Sequence, residues 1–103
     1  KKNIIINELY INGQAHGQCG DWHIDQKKGG PHNDFTIVYF LNEWQPSYGG
    51  HLLIKSDKII SILPEFNKGV LFSSSQEHIG LEPTVHCKSQ RESIACKFKV
   101  IDE

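Results

Sequence analysis

Phe35-Thr36-Ile37-Val38-Tyr39-Phe40-Leu41 is the stretch whose reading decides the fold class. It is uncharged, rich in β-branched and aromatic residues, and closed at both ends by Asp34 and Asn42. Such a short apolar run reads as a strand buried on both faces, because a helix of that length could not cross a core. Outward from it the same reading recurs. In Ser93–Ile101, Ile94, Cys96, Phe98 and Val100 alternate with Ala95, Lys97, Lys99 and Ile101, a period of two. His51–Ile54, Lys58–Leu63 and Gly69–Phe72 read as shorter strands, parted by Ser56-Asp57 and by the stretch from Pro64 to Lys68. Ile4–Ile11 is β-branched and is expected to end at the turn signal Asn12-Gly13. No apolar stripe at helical spacing persists over three turns. Close-set short strands without helices fit an all-β sandwich or rolled sheet, and the expectation is a distorted jelly roll with little helix.

Composition narrows the function classes. With 103 residues the chain reads as a single domain over positions 1–103, large enough for one core. A net charge of −1 without any Lys/Arg cluster larger than a pair argues against nucleic acid as a partner. No apolar run approaches the roughly 20 residues of a membrane span, and the apolar stretch after Lys1-Lys2-Asn3 is too short for a secretory signal. Cys19, Cys87 and Cys96 are odd in number and lack metal-binding spacing, so a reducing, intracellular and cytoplasmic setting is expected.

Chemistry concentrates in four residues. His23-Ile24-Asp25 places an imidazole and a carboxylate two positions apart, hence on one side of an extended chain. His78 follows far downstream, within reach only if the sheet curls round. Two imidazoles and one carboxylate on one face of a metal suit Fe(II) and leave the opposite face open. Arg91, the only arginine, sits in a strand-like segment, where a buried guanidinium calls for an anionic ligand. The blander reading, that H-x-D arises by chance among six histidines, is about as good on the triad alone.

The wider context resembles the iron- and 2-oxoglutarate-dependent dioxygenases, in particular the prolyl 4-hydroxylase-like branch, from about Tyr10 to Val100. Besides His23-Ile24-Asp25, the stretch Tyr39–Trp44 (YFLNEW) is similar to that branch's Y-L-N-x-x-W. Gly49-Gly50-His51-Leu52 resembles its G-G-x-L, and ILPEFNKGVLF (Ile62 to Phe72) its P-x-x-N/D-R-x-V-L-F strand pair. The resemblance implies a double-stranded β-helix in which His23, Asp25 and His78 bind Fe(II) and carry the catalytic centre. Arg91 would grip the distal carboxylate of the co-substrate 2-oxoglutarate, with Ser93, Tyr10 and Tyr39 as further contacts. Phe40 stands where relatives keep a phenol. Arg91 arrives four residues after Cys87, which occupies the more usual place of the basic residue, so Lys88 is the second candidate. The resemblance further implies release of succinate and CO2, O2 as oxidant, ascorbate as an accessory reductant, and a prolyl residue of a peptide or protein as substrate. It also implies bracing helices ahead of the barrel, which these 103 residues do not show.

Other residues carry less. Trp44 reads as packing near the barrel mouth and Trp22 as core. The loop Gln26–Asp34, rich in Gly and Lys, reads as a cover for the site or as a plain turn. Two other classes stay open: a silent jelly roll that binds a sugar, peptide or protein, and a zinc cupin. The latter would need one ligand more, from His51 or His86. Oligomeric state is not legible.

Overall fold

The computed structural model describes residues 1–26 and 33–102. Its elements are β1 (Lys2–Gln14), β2 (Asp34–Phe40), β3 (Leu52–Lys55), β4 (Ile59–Ile62), β5 (Gly69–Ser73), β6 (His78–Gly80) and β7 (Arg91–Asp102), with one short 3-10 turn at Pro46–Tyr48. All pairings are antiparallel. One sheet has the order β1-β7-β2-β5 and the other β4-β3-β6. The expected jelly roll is therefore present, with little helix.

The core lies between the sheets. Phe40 and Phe72 come from the larger sheet and Leu52 and Ile54 from the smaller, with Val38, Val70 and Ile62 packed against them. Strand β2 sits between β7 and β5, and its even positions Thr36 and Phe40 are buried. Its odd positions Phe35, Ile37 and Tyr39 are only half-buried. The strand is thus buried on one face, not on both, because its outer face meets no second layer among the described residues.

Strand β1 departs furthest from expectation. No turn forms at Asn12-Gly13; the strand continues, pairing Asn12 with Ser93, Gly13 with Glu92 and Gln14 with Arg91. A partner strand in register supplies the ladder hydrogen bonds that a local turn would forgo. The pairing slips by one residue between Ile6 and Glu8. This bulge keeps Ile4, Ile6, Leu9 and Ile11 on one face, opposite Val100, Phe98, Cys96 and Ile94, and turns Tyr10, Asn12 and Gln14 to the other. Trp22, expected in the core, is 37% exposed, with the Lys55 ammonium 5.0 Å from its ring centre. The three residues of β6 were too few to show a period, yet they carry His78.

Candidate functional site

His23 and His78 face each other through an isolated antiparallel bridge, His23 N–H to His78 O at 3.0 Å and His78 N–H to His23 O at 2.9 Å. This bridge ties the segment after β1 to β6 and brings the rings to 4.3 Å between centres. Asp25 is held by its N–H on Ser74 O at 2.9 Å, which turns its carboxylate inward until the side chain is only 3% exposed. Phe72 closes the far side of the His78 ring at 4.7 Å.

The protonation pattern follows from the partners. His23 Nδ1 lies 2.8 Å from the Asp21 carbonyl oxygen and His78 Nδ1 lies 2.9 Å from that of Gln76. A carbonyl only accepts, so each Nδ1 carries the proton and donates. Each Nε2 then points at the Asp25 carboxylate, His23 at 3.4 Å from Oδ1 and His78 at 3.2 Å from Oδ2. With neutral rings, two lone pairs and an anion converge, and the ligand atoms lie within 4.8 Å of one another. A divalent cation resolves that repulsion, and two imidazole nitrogens with one carboxylate suit Fe(II). Backbone carbonyls behind both rings are the usual way in which ligating histidines are aimed. The residues present fit an iron ion.

Asp25 meets two further groups. The Thr36 hydroxyl donates to Oδ2 at 2.8 Å and also meets Ser74 Oγ at 2.8 Å. The Lys97 ammonium stands 3.6 Å from Oδ1. In the metal-free protein with the His78 ring protonated, burial pushes the Asp25 carboxyl up, but the hydrogen bond and charge of that ring, the Thr36 hydroxyl and the Lys97 charge outweigh it and bring it down to about 2. Burial likewise lowers Lys97, but Asp25, Tyr10 and Glu8 more than compensate and raise it.

A pocket of about 420 Å³ opens beside the triad, within the usual range for small-ligand sites. Tyr10 and Gln14 of β1, Val38 and Phe40 of β2, and Arg91, Ser93 and Ala95 of β7 line it along with His23 and His78. Arg91 is 5% exposed. Its guanidinium donates to the carbonyls of Gly50 and, at 3.2 Å, Leu81, and to the side-chain oxygen of Gln14. All three partners are neutral, Nε has none, and among the described residues Arg91 forms no ion pair. Burial alone lowers its pKa. Gly50, at φ 68°, presents its carbonyl where a side chain would strain the backbone, and a Cβ at Gly80 would stand 3.0 Å from an Arg91 nitrogen.

The structure therefore brings His23, Asp25, His78, Arg91, Ser93 and Tyr10 together. Tyr39 does not join them: its strand neighbours Val38 and Phe40 line the pocket, and alternation turns Tyr39 to the outer face. Lys88 is exposed and outside the lining residues, so Arg91 is the base that reaches the pocket. Neither His51 nor His86 joins the metal-ligand group among the described residues. Trp44 donates its indole N–H to Gly49 O at 2.9 Å and packs beside Gly50, a bracing position. The cover expected at Gln26–Asp34 falls on residues 27–32, outside the described residues. Gln14, Thr36 and Lys97 were not singled out beforehand. Gln14 was hidden by the false turn, and Thr36 inside an apolar run.

No curated protein matches the chain. Among solved structures it is similar to an oxidoreductase of the 2OG-Fe(II) oxygenase family from Burkholderia pseudomallei, with a TM-score of 0.79 and 16% identity over 96% of this chain and 46% of that one. It is also similar to a Pseudomonas putida prolyl-4-hydroxylase, with a TM-score of 0.66 and 21% identity over 92% and 50%. A third is a Trichoplax adhaerens prolyl hydroxylase in complex with a hypoxia inducible factor oxygen degradation domain peptide fragment, TM-score 0.61 and 22% identity over 97% and 47%. At these identities the likeness shows the fold alone, and the chain spans about half the length of each structure. The sequence model of the 2OG-Fe(II) oxygenase superfamily, however, matches residues 9–99, nearly the whole chain, and the chain belongs to that superfamily.

Proposed function

We propose that this chain forms the core of a Fe(II)- and 2-oxoglutarate-dependent dioxygenase that hydroxylates an unactivated C–H bond, with a prolyl residue of a peptide or protein as the leading substrate. The observation that carries this reading is a pair of features at one pocket: three convergent metal-ligand groups beside it, and a buried arginine that, among the described residues, is bound to neutral partners only. The prolyl assignment draws on the resemblance of the sequence motifs and on the prolyl hydroxylases among similar structures.

His23, Asp25 and His78 would hold the iron. When bound, Fe(II) supplies the activation of O2 by which 2-oxoglutarate becomes succinate and CO2 while one oxygen atom enters the substrate C–H bond. The chain's own share is binding and orientation. Asp21 O and Gln76 O keep the two rings with Nε2 forward, and Thr36 keeps the Asp25 carboxylate from turning. Arg91, whose guanidinium lines the pocket, would take the distal carboxylate of 2-oxoglutarate and leave the keto-acid end towards the triad. Ser93, 4% exposed, offers a hydroxyl on the same face, and Tyr10 a phenol from β1. Val38, Phe40 and Leu52 supply an apolar wall that limits water. Ascorbate would act only by keeping the iron reduced.

Anaerobic titration with Fe(II) and 2-oxoglutarate tests the reading through the visible charge-transfer absorption of such a chelate. Wild type should develop the band. His23→Ala and His78→Ala should lose it, and Arg91→Ala should need far more 2-oxoglutarate to reach it. A folded wild type without the band overturns the proposal. A peptide screen scored by succinate release would then test the prolyl assignment.

A further inference from the structure

The inner face of β7 works as a ruler across the site. Arg91, Ser93 and Ala95 alternate onto the pocket, and two residues on, Lys97 reaches the triad. At about 3.3 Å per residue, Lys97 stands roughly 20 Å along the strand from Arg91. Its Nζ is 3.6 Å from Asp25 Oδ1, so the metal-ligand group falls at the Lys97 end. A co-substrate anchored at Arg91 reaches the triad from one side. The molecule to be oxidised must then come from the other, where Lys97 stands.

Lys97 is not buried in a closed network. Its side chain is 22% exposed, and besides Asp25 its partners are Glu8 on β1, with Oε2 at 3.5 Å, and the Tyr10 ring, 5.6 Å from Nζ to centre. Glu8 is 58% exposed. A metal ion among His23, Asp25 and His78 draws on the Asp25 charge. Among the described residues Lys97 then keeps the Tyr10 ring and Glu8, the latter a largely solvated partner in a pair of the kind that is worth little. An ammonium so placed, next to the reacting centre and weakly engaged, is a binding group for an incoming anion.

We propose that Lys97 determines specificity by selecting a substrate with a carboxylate close to the reacting carbon, and that Glu8 is the anion this carboxylate displaces. The proposal rests on the oxygenase reading and narrows it. The carboxylate is either an acidic side chain next to the target residue in a peptide or the free α-carboxylate of an amino acid. If Lys97 served only to steady Asp25, its loss would weaken iron binding whatever the charge of the ligand.

The test is binding, not turnover. Protein loaded anaerobically with Fe(II) and 2-oxoglutarate is titrated calorimetrically with four probes. These are a blocked Ala-Pro-Asp-Gly peptide, its Ala-Pro-Asn-Gly counterpart, free proline and prolinamide. Iron affinity of each variant is measured separately from the charge-transfer band. Wild type should prefer one acidic probe over its amide by about tenfold, and which pair shows this identifies the source of the carboxylate. Lys97→Met should abolish that preference, and Glu8→Gln should enlarge it, with iron affinity within a factor of about three in both. Equal binding of acid and amide in a wild type that forms the band overturns the role of Lys97 and leaves the oxygenase reading standing. A preference that survives Lys97→Met, or a loss fully accounted for by weakened iron binding, overturns it as well. A wild type that forms no band overturns the oxygenase reading and this proposal with it.

Discussion

Arg91 is held by two carbonyls and an amide, and the choice of an amide at position 14 has a consequence. A carboxylate there would satisfy the guanidinium better in the empty protein but would spend the charge that 2-oxoglutarate needs. Gln14→Glu gains that ion pair but loses the donations of the Gln14 amide nitrogen to the carbonyls of Gln18 and Gly80, and in the folded variant it should raise the 2-oxoglutarate concentration at half-saturation by at least about tenfold. Unchanged co-substrate affinity in a folded Gln14→Glu protein would show that Gln14 only fills space. Asp25 supports a second prediction, for the metal-free protein. Its folded pKa of about 2 lies below the ordinary 3.8, so its contribution is complete above about pH 4 and fades as pH falls through 2. The size is of the order of 1–2 kcal/mol. Urea unfolding between pH 5 and 2 should show wild type losing more stability than Asp25→Asn over that interval, and parallel curves would contradict it. At this scale the sequence made His23, Asp25, His78 and Arg91 legible, because residue type and order carry their chemistry. Gln14 and Thr36 were not legible, since nothing in a glutamine or threonine marks it as a second partner until the strand's face is known.

Strands are where periodicity both informed and misled. In β7 the alternation separates Ile94, Cys96, Phe98 and Val100 from Arg91, Ser93 and Ala95, as the period of two indicates. An apolar-inside rule leaves Arg91 and Ser93 outside, because the face they share is a polar pocket for an anion, although Phe98 of the other set is itself buried against Phe35. The buried arginine was the only sign of that inversion. The rest turned on register: a bulge between Ile6 and Glu8 and the absence of a turn at Asn12-Gly13 depend on pairing with a strand some eighty positions away, which no local window contains. The ruler reading of β7 has its own test at Ala95, which lines the pocket between Tyr10 and Val38 of the neighbouring strands. Ala95→Leu places a branched side chain in the space a co-substrate would cross. It should raise the 2-oxoglutarate requirement by about tenfold or more while iron binding is kept, since β7 supplies no metal ligand. If Ala95→Leu binds 2-oxoglutarate as wild type does, the path from Arg91 to the triad runs elsewhere.

Across the whole molecule, the larger sheet has a working face and a bare one. Ile4, Ile6, Leu9 and Ile11 of β1 are 65%, 58%, 64% and 73% exposed, and Leu71 of β5 is 61% exposed. The bulge in β1 gathers its four on the side opposite the pocket, in register with the apolar half of β7. The outer edge of β1 is also unpaired among the described residues. Contiguous apolar surface of this kind is unusual on a soluble monomer and drives association when left in water. No helix of the described residues is long and apolar enough to cross a membrane, so a spanning helix does not account for it. The 103-residue chain should accordingly bind an apolar fluorescent dye in its folded state and lose solubility as concentration rises. The double variant Leu9→Lys, Ile11→Lys should reduce both effects several-fold. Both side chains point away from Tyr10, Asn12 and Gln14, so the Fe(II) and 2-oxoglutarate titration should be the same in variant and parent. A dye signal that persists in the double variant would place the adhesive surface elsewhere, with exposed Phe66 and Val85 the next residues to examine. A weakened titration would mean that the two faces of β1 are coupled, and that the bare face helps to hold the pocket in shape.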